Sequence, residues 1–304
     1  MTAFAMAKAE ENNPLLLTGS RSVRGLRVEA LSNNDRNEVL AFLAARPIHT
    51  VCMASYIREN NIVSPLNRGF FYGCRNEAGQ LKGVALIGHA TLLETDSDEA
   101  LQTFAALKHE YAKSHLIRGE HEMIARFWAH YAELGHEFRL ARRELLYEQC
   151  TMPALDDAAP ELQVATLDQL ETIMAINAEM ILSECGSDPQ TKDPIGFRQR
   201  LTRRIEQGRV WLWMKDGELV FKADIFAETP AMIYVEGVYV APAQRGQGHG
   251  VRCMSQLTRI LLLRSHAVCL LVNQSQEGLT TFYERAGYQL RGYYDTIYLQ
   301  QETA

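Results

Sequence analysis

The 304-residue chain predicts an α+β protein made of two halves of one plan, each a mixed central sheet flanked by helices. Three observations predict it. β-Branched and aromatic runs alternate with apolar-periodic helical runs in the same order twice: strand, two helices, three antiparallel strands, helix, strand, helix, strand. Each half carries a hairpin signal, Asn76-Glu77-Ala78-Gly79 in the first and Asp216-Gly217 in the second. Between the halves, residues 151–161 read TMPALDDAAPE, two prolines around a short acidic run, the best linker in the chain. The expected organisation is a loose arm over 1–24, a first domain over 25–150, the linker, and a second domain over 162–304.

In order, Leu26 opens a strand that leads through an Asn/Asp-rich cap to helices over 37–45 and 50–59. Strands over 70–74 and 82–88 flank the first hairpin signal. A helix over 98–113, a strand over 115–118, a helix over 120–132 and a strand pair over 137–149 close the half. The second half starts with a strand over 164–167 and a helix over 170–183, whose Ile173, Ile176, Met180 and Ile181 share a face. Pro194 opens a helix ending near Gly208. Strands over 210–214 and 219–226 flank Asp216-Gly217. A strand over 233–241 follows, then a loop and helix, a strand over 268–273, a helix over 278–286 and a closing strand or pair over 289–299.

The most informative stretch is VEGVYVAPAQRGQGHGVRCM, residues 235–254. Pro242 ends a strand because it cannot donate to a ladder. Arg245-Gly246-Gln247-Gly248-His249-Gly250 then precedes an apolar-periodic helix carrying Val251, Met254, Leu257 and Leu261. Strand, glycine loop and helix N-terminus together bring backbone N–H groups to one point and hold an anion. Glycine suits that place because a Cβ would block a phosphate from the amides. The same glycines would equally serve a plain turn. No Lys-Ser/Thr pair follows, which excludes a Walker A loop, and the G-x-G-x-G spacing does not fit a dinucleotide fingerprint.

This stretch resembles the acyl-coenzyme A signature R-x-x-G-x-G/A of the GNAT acetyltransferase superfamily, on Arg245, Gly248 and Gly250. A second signature of that superfamily, V-N-x-x-N-x-x-A-x-x-x-Y-x-x-x-G-F, resembles LLVNQSQEGLTTFYERAGY: Asn273, Tyr283 and Gly287-Tyr288 match, while Gln276 stands for Asn and Leu279 for Ala. The resemblance implies tandem GNAT folds, with the second half binding acetyl-CoA as cosubstrate. Amides of Gly246, Gln247, Gly248, His249 and Gly250 would hold the pyrophosphate, the edge of Val238, Tyr239 and Val240 would pair with the pantetheine arm, and Asn273 and Tyr283 would complete the site. Arg245 would reach a phosphate or cap the strand. The FKAD and EGVYV segments, behind a weaker first half, look like a bacterial two-domain subfamily. In that first half the loop Glu94-Thr95-Asp96-Ser97-Asp98 is acidic and lacks glycine. It would repel a pyrophosphate, so the first half is expected to be degenerate.

Acyl transfer from a thioester to an amine requires removal of an ammonium proton, stabilisation of an oxyanion, and an acid for the leaving thiolate. The family motif places Tyr283 near the CoA sulfur, as acid or as a packed aromatic. Glu236 is the candidate base: it shares parity with Val238 and Val240, which turns it inward unless a bulge intervenes. Its alternative is pairing with Lys222 or an arginine. Lys222 and Asp224 share a face and either pair or line the acceptor cleft, with Glu184, Asp188, Tyr293 and Tyr294 near its walls. The expected activity is direct transfer of an acetyl group to a primary amine of a small molecule or protein. Two rivals stand beside it, an acyl-CoA-responsive module without turnover and a tandem transferase using another acyl donor.

Composition narrows the partners. With 47% hydrophobic and 22% charged residues the chain is an ordinary globular one. A net charge of −6 without a dense basic block argues against nucleic acid, and Arg198 to Arg204 reads as a solvated helix face. No run approaches a membrane span and no secretory leader opens the chain. Six scattered cysteines without a C-x-x-C pair favour reduced thiols and a cytoplasmic location, and nine histidines lack metal-ligand spacing. Neither metal nor membrane is expected, and the chain is expected as a monomer or homodimer.

Overall fold

The structure, a computed structural model, describes residues 21–23, 25–111, 114–154, 161–276 and 278–300. They form two compact units: one holds the residues up to Ala141 and from Asp295 onward, the other Arg142–Tyr294.

The first unit begins with β1 (Arg21–Val23) paired to β2 (Leu26–Ala30), so a strand forms at the end of the expected loose arm. After α1 (Arg36–Leu43) and α2 (Pro47–Asn60) come β3 (Gly69–Asn76), β4 (Leu81–Gly88) and β5 (Ala90–Thr95), all antiparallel neighbours. The crossover helix α3 (Asp98–His109) leads to β6 (Leu116–Glu120), parallel to β5, and then to α4 (His121–Ala132). One core side packs α3 and α4 through Phe104, Ile124 and Phe127. The other packs α1 and α2 through Val39, Leu43, Met53 and Ile57.

The second unit repeats this with β8 (Gln163–Val164), α5 (Leu170–Cys185), a short α6 (Pro189–Lys192), α7 (Pro194–Glu206), β9 (Val210–Lys215), β10 (Glu218–Glu228), β11 (Ile233–Val240), α8 (His249–Leu262), β12 (Val268–Asn273) and α9 (Leu279–Arg285). Strands β8 to β11 are antiparallel, and β11 runs parallel to β12. Asp216 and Gly217 take φ of 53° and 82°, the two positive values that a two-residue hairpin turn of matching twist requires. The first helix of each unit is entered the same way. Ser32 and Asp35 form a reciprocal capping box ahead of α1, and Thr166 and Gln169 form one ahead of α5.

One long strand departs from the expected order, and a second takes the single-strand form of the two expected. In place of a pair over 137–149 there is one strand, β7 (Phe138–Gln149), and one strand β13 (Gln289–Leu299) closes the chain. Each supplies residues to both units. From Arg142 on, β7 belongs to the second unit and pairs antiparallel with β12, Leu145 opposite Val272 and Tyr147 opposite Leu270. Arg291 of β13 bonds Glu148 beside it at 2.7 Å. From Asp295 on, β13 belongs to the first unit, where Leu299 N–H donates to the His115 carbonyl at 2.9 Å and Ile297 and Leu299 enter the core. Residues 155–160, within the expected linker, lie outside the described ones. Among the described residues no helix is long and apolar enough to cross a membrane.

A buried cation in the first unit yields a stability prediction. Lys108 is 1% exposed, and its Nζ donates to the Tyr131 hydroxyl at 3.1 Å. Burial pushes its ammonium down from 10.5 to about 8. The folded chain therefore releases this proton more readily than the unfolded chain, so stability rises with pH between about 8 and 10.5. Tyr72 and Tyr131, both pushed up to about 12, act in the opposite sense only above pH ~10. Lys108→Met is expected to stabilise the chain by about 1–3 kcal/mol at pH 7, with the gain shrinking towards pH ~10. Urea denaturation at both pH values checks it. A variant equally or less stable than the wild type at pH 7 would count against a charge penalty at this site.

Candidate active site

The glycine loop is built as an open cradle. After β11, Pro242–Gln244 forms one 3₁₀ turn, and Arg245 bends back so that its Nε donates to the Val240 carbonyl at 3.0 Å. That contact is the strand-cap one of the two roles open to Arg245, made through Nε alone. Gly246 and Gly248 both take φ +76°, and a Cβ on either would meet nothing within 4 Å. Their requirement is conformational, since a side chain at such a φ is strained. Gly250 differs: a Cβ there would come to 2.7 Å of Phe282 and 2.9 Å of Val240, so this glycine lets α8 and α9 close on β11. Gly248 is the residue before α8 and provides no side-chain cap, leaving the first-turn N–H groups uncapped by a side chain. His249 opens the helix, packed edge-on to Trp213 at 4.9 Å, and its Nδ1 lies 2.7 Å from Arg252 Nη2. Burial and the charges of Arg252 and Lys215 hold its imidazole below the usual range.

The loop preceding α3 in the first unit contrasts at every point. Ser97 caps that helix by accepting from the Ala100 N–H at 3.2 Å, and Asp98 and Glu99 occupy the first turn. Where β5 and β6 part beyond their last register pair, Leu92 with Arg118, the Arg46 guanidinium bonds both Glu94 and Glu120. Burial pushes the Glu94 carboxyl up.

In the second unit β11 and β12 pair only at Ile233–Val268 and Tyr234–Cys269. From Val235 to Val240 the edge of β11 is out of register with β12, while its other edge is held by β10, with Phe221 opposite Val240 and Lys222 opposite Tyr239. Asn273 lies at the far end of β12, where its Oδ1 accepts from the Ser275 N–H at 3.0 Å and shapes the turn. Tyr283, from α9, is 6% exposed among Tyr147, Phe282 and Tyr288. Burial, with the Glu184 charge nearby, pushes its hydroxyl well above the usual tyrosine range. Tyr288 is anchored by a 2.7 Å hydrogen bond to Thr258.

Glu236 does not follow the expected parity. A bulge at Gly237, φ +60°, lies between the register pairs Tyr239–Lys222 and Glu236–Asp224. It turns Glu236 onto the face of Tyr239, Lys222 and Asp224, while Val238 and Val240 join the core beside α8. There the carboxylate meets Arg204 Nη1 at 2.9 Å and stays 30% exposed. The same Nη1 lies 3.3 Å from Asp224 Oδ2, which also accepts from Asn177 Nδ2 at 3.3 Å. Lys222 and Asp224 do pair, at 2.7 Å and almost wholly buried. Burial pushes the Lys222 ammonium down against the pull of Asp224.

Arg204 is thus no member of a solvated face. Phe197, Leu201 and Ile205 form the buried stripe of α7, and Arg204, three residues after Leu201, falls on its flank. That spacing is the signal the sequence offers for Arg204, whereas Asn177 offers none beyond lying on α5. The expected cleft walls are placed variously. Asp188 caps α6 by accepting from the Gln190 N–H at 2.8 Å, Tyr293 is 44% exposed and Tyr294 is 7% exposed. Among the described residues no group of three or more His, Cys, Asp or Glu side chains is placed to hold a metal ion.

A family model described as the acetyltransferase (GNAT) family matches residues 173–288, the stretch that carries this cradle, parting and cluster. Residues 173–288 are a GNAT domain. Solved structures share the fold over nearly the whole chain. An acetyltransferase of the GNAT family from Colwellia psychrerythraea is 14% identical, with 90% of this chain and 99% of that one covered at a TM-score of 0.54. A Drosophila protein is 13% identical, with 91% and 99% covered and a TM-score of 0.64. A tandem GNAT protein from the clavulanic acid biosynthesis pathway is 13% identical, with 92% and 99% covered and a TM-score of 0.55. Likeness at these identities is one of fold, and it extends the tandem GNAT architecture to the first unit. Among curated proteins no relative matches.

Proposed function

We propose that the chain is an N-acetyltransferase that moves an acetyl group from acetyl-CoA directly to a primary amine, with the GNAT domain as the catalytic part. The observation that carries this reading is the uncapped α8 N-terminus above two positive-φ glycines whose Cβ positions are empty. Amides of Gly246 to Gly250 would take the pyrophosphate and the edge of Val238 to Val240 the pantetheine arm, with Asn273 and Tyr283 at the far side. The bound cosubstrate supplies an activated thioester. The protein's own residues supply the proton movements. Glu236, oriented by Arg204 and open to water, removes a proton from the acceptor ammonium. Tyr283, whose hydroxyl keeps its proton because burial opposes the phenolate, delivers one to the leaving sulfur.

The first unit is proposed as a degenerate partner of the same topology. Its equivalent helix start is capped by Ser97 and acidic, and Arg46 bridges the carboxylates where its parallel strands part. The chain is further proposed to work in the cytoplasm, as a monomer or homodimer, on an amine rather than on nucleic acid or a membrane. Calorimetric titration of CoA and acetyl-CoA into the full chain is expected to give one molecule bound per chain. No binding would overturn the cosubstrate assignment, and two per chain would overturn the degenerate reading of the first unit. Binding without release of the CoA thiol across an amine panel would leave an acyl-CoA-responsive module in place of an enzyme.

A further inference from the structure

The most heavily buried charged pair in the GNAT domain has no place in the chemistry above. Lys222 is 0% and Asp224 2% exposed. Taking two charges out of water costs several kcal/mol each, and a packed apolar pair is often as stable, so the pair calls for a reason beyond stability. Its contacts point to the bulge. Lys222 Nζ donates to Asp224 Oδ1 at 2.7 Å and to the Gly237 carbonyl at 3.0 Å. A Cβ at position 237 would come to 3.0 Å of both Lys222 Nζ and Asp224 Oδ2, so the bulge backbone rests directly on the pair. Asp224 is held in turn by Asn177 and Arg204.

A bulge leaves a peptide outside the ladder, and such a peptide needs another partner to fix its orientation. Among the described residues every peptide bond is trans. In the peptide joining Gly237 and Val238, a carbonyl turned to Lys222 of β10 therefore directs the Val238 N–H the opposite way. The edge of β11 that faces away from β10 is the one from which β12 has parted.

We propose that Lys222 is a positioning residue for acyl transfer: it holds the Gly237 carbonyl and so aims the Val238 N–H into the parting, where an oxyanion developing on the acyl carbon would accept it. The proposal rests on the acyltransferase reading above. Asp224 favours the charged form of the lysine and holds it in place, and Asn177 and Arg204 keep Asp224 in place. Lys222 is long enough to reach from β10 to that carbonyl and donates to it, which gives the buried ammonium its purpose.

The test is Lys222→Met, beside Lys222→Met/Asp224→Asn in case the single variant leaves Asp224 too poorly compensated to fold. Crystal structures of wild type and variant are expected to differ in the direction of the Gly237 carbonyl. An unchanged carbonyl overturns the proposal, whether or not any acceptor has been found. In turnover, kcat is expected to fall about 100-fold with the KM for acetyl-CoA and the affinity for free CoA unchanged, the pattern of a lost transition-state contact. A rotated carbonyl with undiminished kcat overturns the catalytic part, as does a loss confined to KM. A wild type without turnover would instead sink the acyltransferase reading, with the crystal structures still deciding what Lys222 does to the bulge.

Discussion

Replacing Gly248 with valine is expected to lower the affinity for CoA at least about 100-fold, close to 3 kcal/mol. Gly248 holds φ at +76° and stands as the residue before α8. A β-branched residue there stores about 1–3 kcal/mol of strain, which the loop relieves by moving the first-turn amides off their common point. The new side chain also occupies the space over the helix start, which in the protein alone is empty within 4 Å. Both effects act on the anion site and neither on the core. Calorimetry with CoA, paired with thermal denaturation, separates them from unfolding. A folded Gly248→Val chain that still bound CoA with wild-type affinity would show that the pyrophosphate lies elsewhere.

Tyr283→Phe is expected to lower kcat about 100- to 1000-fold while KM for acetyl-CoA changes little. The substitution removes one oxygen and keeps the ring that packs 6.2 Å from Tyr147 and 6.0 Å from Tyr288. The pH dependence gives the sharper readout. Burial and the neighbouring Glu184 raise the pKa of the hydroxyl, so the wild type keeps its acid protonated through the alkaline range where an ordinary tyrosine loses its proton. Its kcat should hold through pH ~10, where half of an ordinary tyrosine has ionised, and fall only well above it, whereas the variant should be slow and without that alkaline limb. Equal kcat across the range would leave Tyr283 as a packing residue beneath the cosubstrate.

Local chemistry makes much of this molecule legible in the amino-acid order alone. Asp216-Gly217 forms its hairpin because only those residue types accept two positive φ values cheaply. The order of elements recurs in both units because each strand and helix follows its own apolar period. The cradle is readable for the same reason: Gly246 and Gly248 hold positive φ, and Pro242 ends the strand. A glycine inside the run VEGVYV is also a bulge signal. Counting parity through Gly237 as though the strand were regular puts Glu236 on the wrong face.

What the amino-acid order determined by itself is therefore most of the elements, the two-fold plan and the glycine loop, since each depends on dihedral preference or on a period within a dozen residues. Tertiary structure alone decided the rest. Residues of β7 enter the second unit and residues of β13 the first, because strand pairing is chosen by distant partners and a 12-residue strand reads the same whichever sheet receives it. The partners of Glu236 were decided there too. Arg204 and Asn177 come from different helices and Lys222 and Asp224 from the neighbouring strand. Burial brought these groups together, and at low dielectric a buried charge must find its counter-charge wherever the fold provides one.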